Sequence, residues 1–407
     1  MSDIKVFDIL VVGGGMTGTA LALGLSRQGW RVGLVEGGDR ATLLQAPVAV
    51  KGVADFEPRV SALSMASQRL LESLGAWQGV VAGRHCPYQG MTVWDGDGTG
   101  RIHFDAAELQ ARALGTIVEN RALVRALFEV VETSDVELID GVQVVGCSMH
   151  GDQRSIELAD GRKLGARLVI AADGANSRLR QWTGLPTREW DYDQQAIVCT
   201  VRTAQPHRYT AWQRFSQTGP LAFLPLATES GDEHYCSIVW SQDTEEARRL
   251  MALDDATFTA ELERAIEREL GTIESISRRF SFPLRQRHAK DYIATGFALV
   301  GDAAHTIHPL AGQGANLGYG DVRVLLEELG KAKPGGLSPA NELVLARYQR
   351  RRKGENLTMM VAMEGFKQLF GRDELPLRWL RNTGMRWLDG LGPVKNRIAA
   401  EAMGLDI

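Results

Sequence analysis

The chain has 407 residues, 44% of them apolar and 24% charged, with a formal net charge of −4. This is the composition of an ordinary soluble protein, long enough for one large or two medium domains with a real core. The slight negative charge offers nucleic acid no general attraction, and no apolar run approaches the ~20 residues of a membrane-spanning helix.

Cys86, Cys147, Cys199 and Cys236 are far apart and form no C-x-x-C pair. Neither a disulfide framework nor a zinc site is expected, and the thiols read as small buried side chains. The chain enters its first strand almost at once, which fits no signal or transit peptide, so a cytoplasmic location is expected.

Asp8 to Val12 is a short apolar run. Gly13-Gly14-Gly15-Met16-Thr17-Gly18 follows, then a helical pattern through Leu21, Ala22 and Leu25, then a second apolar run from Arg31 to Val35 that ends on Glu36. Strand, G-x-G-x-x-G, helix, strand, acid is the order of a dinucleotide fold. In that fold Gly13 permits the tight turn, Gly15 lets a pyrophosphate approach, Gly18 lets helix pack on strand, and Glu36 accepts from a ribose hydroxyl.

A loose polar stretch leads to Arg59-Val60-Ser61-Ala62-Leu63 and a helix reaching Gly75. Residues 86–105 alternate around Met91, Val93, Ile102 and Phe104 across a Gly96-Asp97-Gly98 turn, which predicts a hairpin. Leu114 to Asn120 leads into a helix with Leu123, Ala126 and Leu127 on one face, and Asn120 reads as its N-cap. From Val136 to Leu168, short alternating runs split at Asp160-Gly161 predict a β-meander beside the main sheet. Leu168 to Ala172 is a buried strand ending at Asp173-Gly174, where an aspartate can close an Asx turn.

Residues 184–283 change character. Runs at Ala196–Val201, Tyr209–Phe215, Leu221–Leu226 and Tyr235–Trp240 alternate with a period near two, and a charged helix from about Thr244 to Leu270 follows. A separate antiparallel sheet domain is expected. Trp212, Phe215 and Phe223 are candidates for the wall of a ring pocket, although each residue type is more often core. Arg285 to His288 then returns the chain to the first domain.

Gly296 to Asp321 reads as a buried strand (Phe297 to Val300), a Gly301-Asp302 turn, a loop with Pro309, Gly312 and Gly314, and a helix starting near Asn316. The helix N-terminus aims unpaired N–H groups at whatever the loop holds, which suits a polyol or phosphate joined to a flat ring. His305 and His308 are candidates for proton transfer, weighed against a positioning role. The helix runs to about Leu329, and a basic helix with Arg347, Arg350, Arg351, Arg352 and Lys353 comes next. The last segment mixes Trp379 and Trp387 with Arg378, Arg381, Arg386, Lys395 and Arg397, as either a packed helix with a solvated basic face or an interfacial surface.

Three strings carry a family resemblance: Gly301-Asp302, the run His308-Pro309-Leu310-Ala311-Gly312-Gln313-Gly314-Ala315-Asn316-Leu317-Gly318 closing on Asp321, and Asp173-Gly174 in AADGANSRLR. Together they resemble the group A flavin monooxygenases and, more narrowly, the UbiH/UbiF/UbiI ubiquinone-biosynthesis hydroxylases, over nearly the whole chain. HCPY at His85–Tyr88, FDAAEL at Phe104–Leu109 and LPLRWLRN near the end look like the UbiF branch.

The resemblance implies an α/β fold with a Rossmann-like FAD-binding domain of the p-hydroxybenzoate hydroxylase type (residues 1–183 and 284–345), an inserted antiparallel-sheet substrate domain (184–283) and a C-terminal helical segment (346–407). It implies that Gly13, Gly15, Thr17, Gly18 and Glu36 hold the ADP part of FAD and that Gly301 and Asp302 hold the ribityl chain. Arg59 and Asn120 approach the cofactor, and Asp173 serves FAD and NAD(P)H. His308, Pro309, Gly312, Gly314, Ala315 and Asn316 lie beside the isoalloxazine, with His308, Pro309 and Gly312 nearest the chemistry.

In the implied reaction NAD(P)H, which has no dinucleotide fold of its own here, reduces FAD. O2 then adds at flavin C4a, and one oxygen atom passes to the ring of a prenylated quinol or phenol of the demethoxy-benzoquinol type. A sibling hydroxylase for another ring position or phenol, and a flavin-binding scaffold without turnover, are the alternatives. No metal is implied. The C-terminal segment is the expected contact to the inner-membrane surface or to a ubiquinone-biosynthesis complex.

Overall fold

The strand Lys5–Val12 is buried along most of its length and takes the centre of a parallel sheet, as a run apolar on both faces must. The structure is a computed structural model that describes residues 4–306 and 314–371, with 383, 387, 391, 392, 395–397 and 400 beyond them. Lys5–Val12 pairs with Val32–Val35 on one side and Lys163–Ala171 on the other; Glu137–Ile139 and Phe297–Leu299 extend the sheet outward, all in parallel. Strand order reverses between Lys5–Val12 and Lys163–Ala171, which opens a crevice at the carboxyl ends of the strands. The helices Met16–Arg27, Asn120–Val131 and Gly314–Ala332 bury Leu21, Leu123 and Leu325 in one core with this sheet.

Glu137–Ile139 is therefore not part of a meander. It is the edge of the parallel sheet, and only Val144–His150 and Gln153–Leu158 make the antiparallel excursion, folding back on the first half of Lys163–Ala171.

A second sheet contains nine strands among the described residues, with Thr187–Thr203 and Tyr235–Asp243 near its middle. The expected hairpin forms as Gly90–Asp95 and Arg101–Asp105, but it joins this sheet through a parallel pairing with Thr210–Ser216. The preceding strand, His85–Tyr88, pairs instead with Gly115–Glu119 in a small sheet that also holds Val60–Leu63. The chain changes sheets at Gln89, whose N–H donates to the Tyr209 carbonyl at 2.7 Å.

One face of the second sheet packs on two helices, Thr244–Ala252 and Asp255–Ala265, rather than one continuous helix. The break comes from Asp254, whose carboxylate accepts the Thr257 N–H at 2.9 Å and so starts a new helix after an extended Leu253. Trp212 and Phe223 are opposite one another in the ladder and both belong to this helix-covered core, with Phe223 wholly buried. Phe223 therefore lines no pocket, whereas Trp212 keeps one edge on an open cleft with Thr92, Arg101, His103, Arg208 and Thr210. Phe215 is on the other face, with Val93, Ile102 and Phe104. That other face also packs Ala211, Ala222 and Leu224 against Ala62, Tyr88 and Ile117 of the small sheet.

The Gly314–Ala332 helix begins two residues before Asn316, which lies within its first turn. The helix Glu342–Gly371 then docks on the parallel sheet by buried hydrogen bonds. Tyr348 Oη donates to the Leu299 carbonyl at 2.7 Å, and Asn356 Nδ2 donates to Tyr292 Oη at 3.0 Å. Tyr292 Oη also lies 2.9 Å from His288 Nε2, to which it donates when the imidazole is neutral. Burial, with the charges of His305, Lys353 and Arg188, pushes His288 down to about 4 from the ordinary 6.5.

A depressed imidazole leaves stability intact above the unfolded value and removes it as pH falls toward the folded one. Between pH 6.5 and about 4 the unfolded chain binds a proton that the folded chain refuses, a loss of up to about 3 kcal/mol. Urea unfolding of wild type and His288→Asn should show the gap in stability between them narrowing as pH is lowered from about 7 to 4.5. A constant gap would mean that His288 does not titrate in this window.

Candidate cofactor site

The crevice at the switch point is a cleft of ≈580 Å³ lined by Gly13, Gly15, Glu36, Gln143, Asp173 and Arg178, among others. Gly13 has φ +109, a conformation L side chains rarely adopt, and its N–H closes onto the Val35 carbonyl at 2.8 Å. A Cβ on Gly18 would stand 1.9 Å from the Gly13 carbonyl oxygen, so helix and turn touch only because the side chain is absent. At Gly15 a Cβ would meet nothing within 4 Å. Its residue is exposed at the N-cap of Met16–Arg27, and no side chain caps that helix, so bare amides face the cleft.

The Glu36 carboxylate accepts the Gly14 and Gly38 N–H groups at 2.5 and 2.7 Å, which fixes it at the end of Val32–Val35 with further acceptor capacity left. Asp173 binds the Leu179 N–H through Oδ2 at 3.3 Å, while its buried Oδ1 has no partner among the described residues. Gln143 and Arg178 enter the cleft without a signal in the glycine motif. Arg178 lies over the Trp182 ring at 4.9 Å.

The second lobe forms where three elements converge. Gly301 has φ +58, and Cβ atoms on Gly301 and Gly318 would stand 3.0 and 2.5 Å from Thr17 Oγ1. Thr17 is thus packed between the Gly301 turn and the Gly314–Ala332 helix. Asp302, next to Gly301 in that turn, keeps exposed surface. Burial holds its carboxyl above the usual range, against the pull of His305 and Arg59. Arg59 is exposed and has no ion-pair partner among the described residues.

Asn120 is the first residue of its helix and not the cap, a place held by Glu119. Its Oδ1 accepts Ser61 Oγ–H at 2.7 Å, and its N–H donates to the Arg59 carbonyl at 3.0 Å. Glu119 is spent elsewhere. It forms a buried two-pronged pair with Arg84, at 2.8 and 3.0 Å, and accepts the Glu57 N–H at 2.7 Å. Arg84 also holds the Val48 and Asp55 carbonyls, so one guanidinium ties the irregular stretch before Arg59 to the start of the Asn120 helix.

Asn316 cross-links three segments. Its Oδ1 accepts Ser64 N–H at 2.9 Å and Ser67 Oγ–H at 2.7 Å, and its Nδ2 donates to the Ala62 carbonyl at 2.8 Å. Gly314 and Ala315 form the helix start beside it, and a Cβ on Gly314 would meet nothing within 4 Å. His308, Pro309 and Gly312 lie outside the described residues. His305 does not face the cleft as a free base; its Nε2 is 2.6 Å from the buried Asp321 carboxylate.

A family model described as FAD binding domain matches residues 6–360. The chain is 39% identical over 401 residues to the 3-demethoxyubiquinol 3-hydroxylase of Escherichia coli (strain K12), covering 98% of each chain. It is 36% identical to the ubiquinone hydroxylase UbiL of Rhodospirillum rubrum, over 98% of this chain and 90% of that one. Among solved structures, PqsL, a probable FAD-dependent monooxygenase from Pseudomonas aeruginosa, superposes with a TM-score of 0.75 at 25% identity, over 94% of this chain and 99% of that one. The chain belongs to the FAD binding domain family, and FAD is its cofactor.

Proposed function

We propose that the protein is an NAD(P)H- and FAD-dependent monooxygenase that hydroxylates the aromatic ring of a prenylated ubiquinone precursor of the demethoxy-benzoquinol type. The observation that carries this reading is the 39% identity to a 3-demethoxyubiquinol 3-hydroxylase across 98% of both chains. The cleft fits FAD on its own evidence: an open approach at Gly15 and a buried oxygen on Asp173 that has no partner among the described residues.

When bound, FAD supplies the oxygen-activating chemistry, and the protein supplies binding, orientation and a dry site. Gly13, Gly15, Gly18, Glu36 and Asp173 hold the ADP part, and Asp302 the ribityl chain. Thr17 and Gly301 set the distance between the two lobes. The first turn of the Gly314–Ala332 helix, with Ala315 and Asn316, presents a partial positive charge that favours a negative reduced ring. We assign His308, Pro309 and Gly312 to the edge of that ring on the strength of their motif. Residues 1–183 and 284–345 serve the cofactor, 184–283 the substrate, and 346–407 the C-terminal contacts, with the hairpin at 90–105 lending its strands to the substrate side.

Gly15→Ala tests the cofactor assignment. The new methyl clashes with nothing in the protein, so the apoprotein should unfold within about 0.5 kcal/mol of wild type. FAD should bind at least about tenfold more weakly, because the methyl occupies the approach to the amides. Titration of apoprotein with FAD decides it, and unchanged affinity would move the cofactor out of this lobe.

The second reading, a sibling hydroxylase acting at another ring position or on another phenol, is kept open by the nearly equal identity to a relative named only as a ubiquinone hydroxylase, 36% against 39%. Anaerobic reduction by NADH or NADPH, with and without a short-chain demethoxy-quinol, followed by oxygen and mass analysis, separates the readings. The expected result is faster reduction with the quinol and a product one oxygen atom heavier. Bound FAD without that product, but with hydroxylation of a different prenylphenol, would select the sibling.

The C-terminal segment makes peripheral contact with the cytoplasmic face of the inner membrane in this proposal. Trp387 is 72% exposed and Val361 71%, and among the described residues no helix is long and apolar enough to cross a membrane. In flotation with anionic vesicles, wild type should rise with the lipid and Val361→Ser/Trp387→Ser should not. Equal flotation of the two would remove these residues from any lipid contact.

A further inference from the structure

Asp321 is a carboxylate with no exposed surface. Oδ2 accepts the Gly301 N–H at 2.8 Å and His305 Nε2 at 2.6 Å, and Oδ1 accepts Arg352 Nε–H at 2.6 Å. Arg352 is 2% exposed. It sits on the Glu342–Gly371 helix, outside every string that carries the family resemblance. Its remaining donors go to the Leu317 carbonyl at 3.1 Å, to Asn356 Oδ1 at 2.8 Å and to Glu355. A Cβ on Gly320 would stand 2.8 Å from the guanidinium, so the close approach depends on that glycine.

One side chain on a peripheral helix therefore reaches two parts of the cofactor site. Through Asp321 it reaches the turn that presents Asp302, and through the Leu317 carbonyl it reaches the first turn of the Gly314–Ala332 helix.

We propose that Arg352 is a positioning residue for FAD: by fixing Asp321, it sets where the Gly301–Asp302 turn stands against the helix that begins at Gly314. The geometry gives the first half of the argument, since the Gly301 N–H has one acceptor and Arg352 holds that acceptor in place. Charge gives the second half. An unpaired carboxylate inside a protein is strongly unfavourable, and the guanidinium cancels it beside a cofactor that turns negative on reduction. Without Arg352 the turn loses its fixed partner, and the site gains negative potential that opposes reduction of the flavin.

The inference rests on FAD binding and not on which quinol is hydroxylated. Its test compares three full-length variants, Arg352→Gln, Arg352→Lys and Tyr348→Phe, by FAD dissociation constant, flavin reduction potential and melting temperature. Tyr348→Phe removes a hydrogen bond from the same helix to the Leu299 carbonyl without touching the turn, and so reports loss of docking alone.

Arg352→Gln should bind FAD about tenfold more weakly, the equivalent of one charge-assisted hydrogen bond, and its flavin potential should move to more negative values. Arg352→Lys keeps the charge and should restore the potential while recovering only part of the affinity, because an ammonium cannot reproduce the guanidinium fork. Tyr348→Phe should melt earlier with wild-type affinity and potential. The proposal is overturned if folded Arg352→Gln matches wild type in both flavin measurements, or if Tyr348→Phe changes them as much. If Arg352→Gln does not fold, Arg352→Lys against Tyr348→Phe makes the same comparison through affinity. Wild-type protein that binds no FAD would remove the cofactor reading beneath it.

Discussion

A negative charge sealed from water has to be answered by its neighbours, and at Asp321 the answer organises the site. Arg352 compensates the carboxylate at Oδ1, and His305 and the Gly301 N–H hydrogen-bond to Oδ2. The turn so held has a positive φ at Gly301 and leaves room only for Thr17. Thr17 belongs to the helix of the glycine motif, so the charge at Asp321 and the crowding at Thr17 together fix the two lobes of the cofactor cleft relative to each other. Neither constraint tolerates a small shift, since one is a close ionic contact and the other a backbone approach with no spare space.

The second sheet meets the cofactor side by a different principle. Apolar residues such as Ala211, Ala222 and Leu224 face Ala62, Tyr88 and Ile117 of the small sheet across a dry layer. One buried ion pair, Arg84 with Glu119, is set beside that layer. It stitches the irregular chain before Arg59 to the strand that ends at Glu119, so residues with little regular structure of their own still arrive at a defined place.

Much of this was legible because it is local. Gly13 to Glu36 are 24 consecutive residues whose strand, turn, helix and acid each leave a mark in the sequence, and the structure gathers them in one cleft with Asp173. Asn316 was legible as a member of a motif but not as a cross-link, because Ser64 and Ala62 are about 250 positions away. Arg352 had no signal beyond a basic helix, where arginines are usually solvated. The three residues of Glu137–Ile139 are too few for periodicity to tell a parallel edge from a meander. Alternation put Trp212 and Phe223 on one face but could not say which face the helices would cover. The break at Asp254 did have a signal, an aspartate three residues before Thr257, which the charged run around it concealed.

The distances along the chain in the Asn316 contacts bear on how the protein is made. Ser64 and Ala62 leave the ribosome some 250 residues before the asparagine that binds them, and the sheet strand Phe297–Leu299 is equally late. The cofactor cleft therefore cannot close on a nascent chain that has synthesised only its dinucleotide motif and its second sheet. Flavin loading therefore follows synthesis of the chain at least as far as the helix that carries Asn316, and the earlier segments wait for it with part of their native contacts unmade.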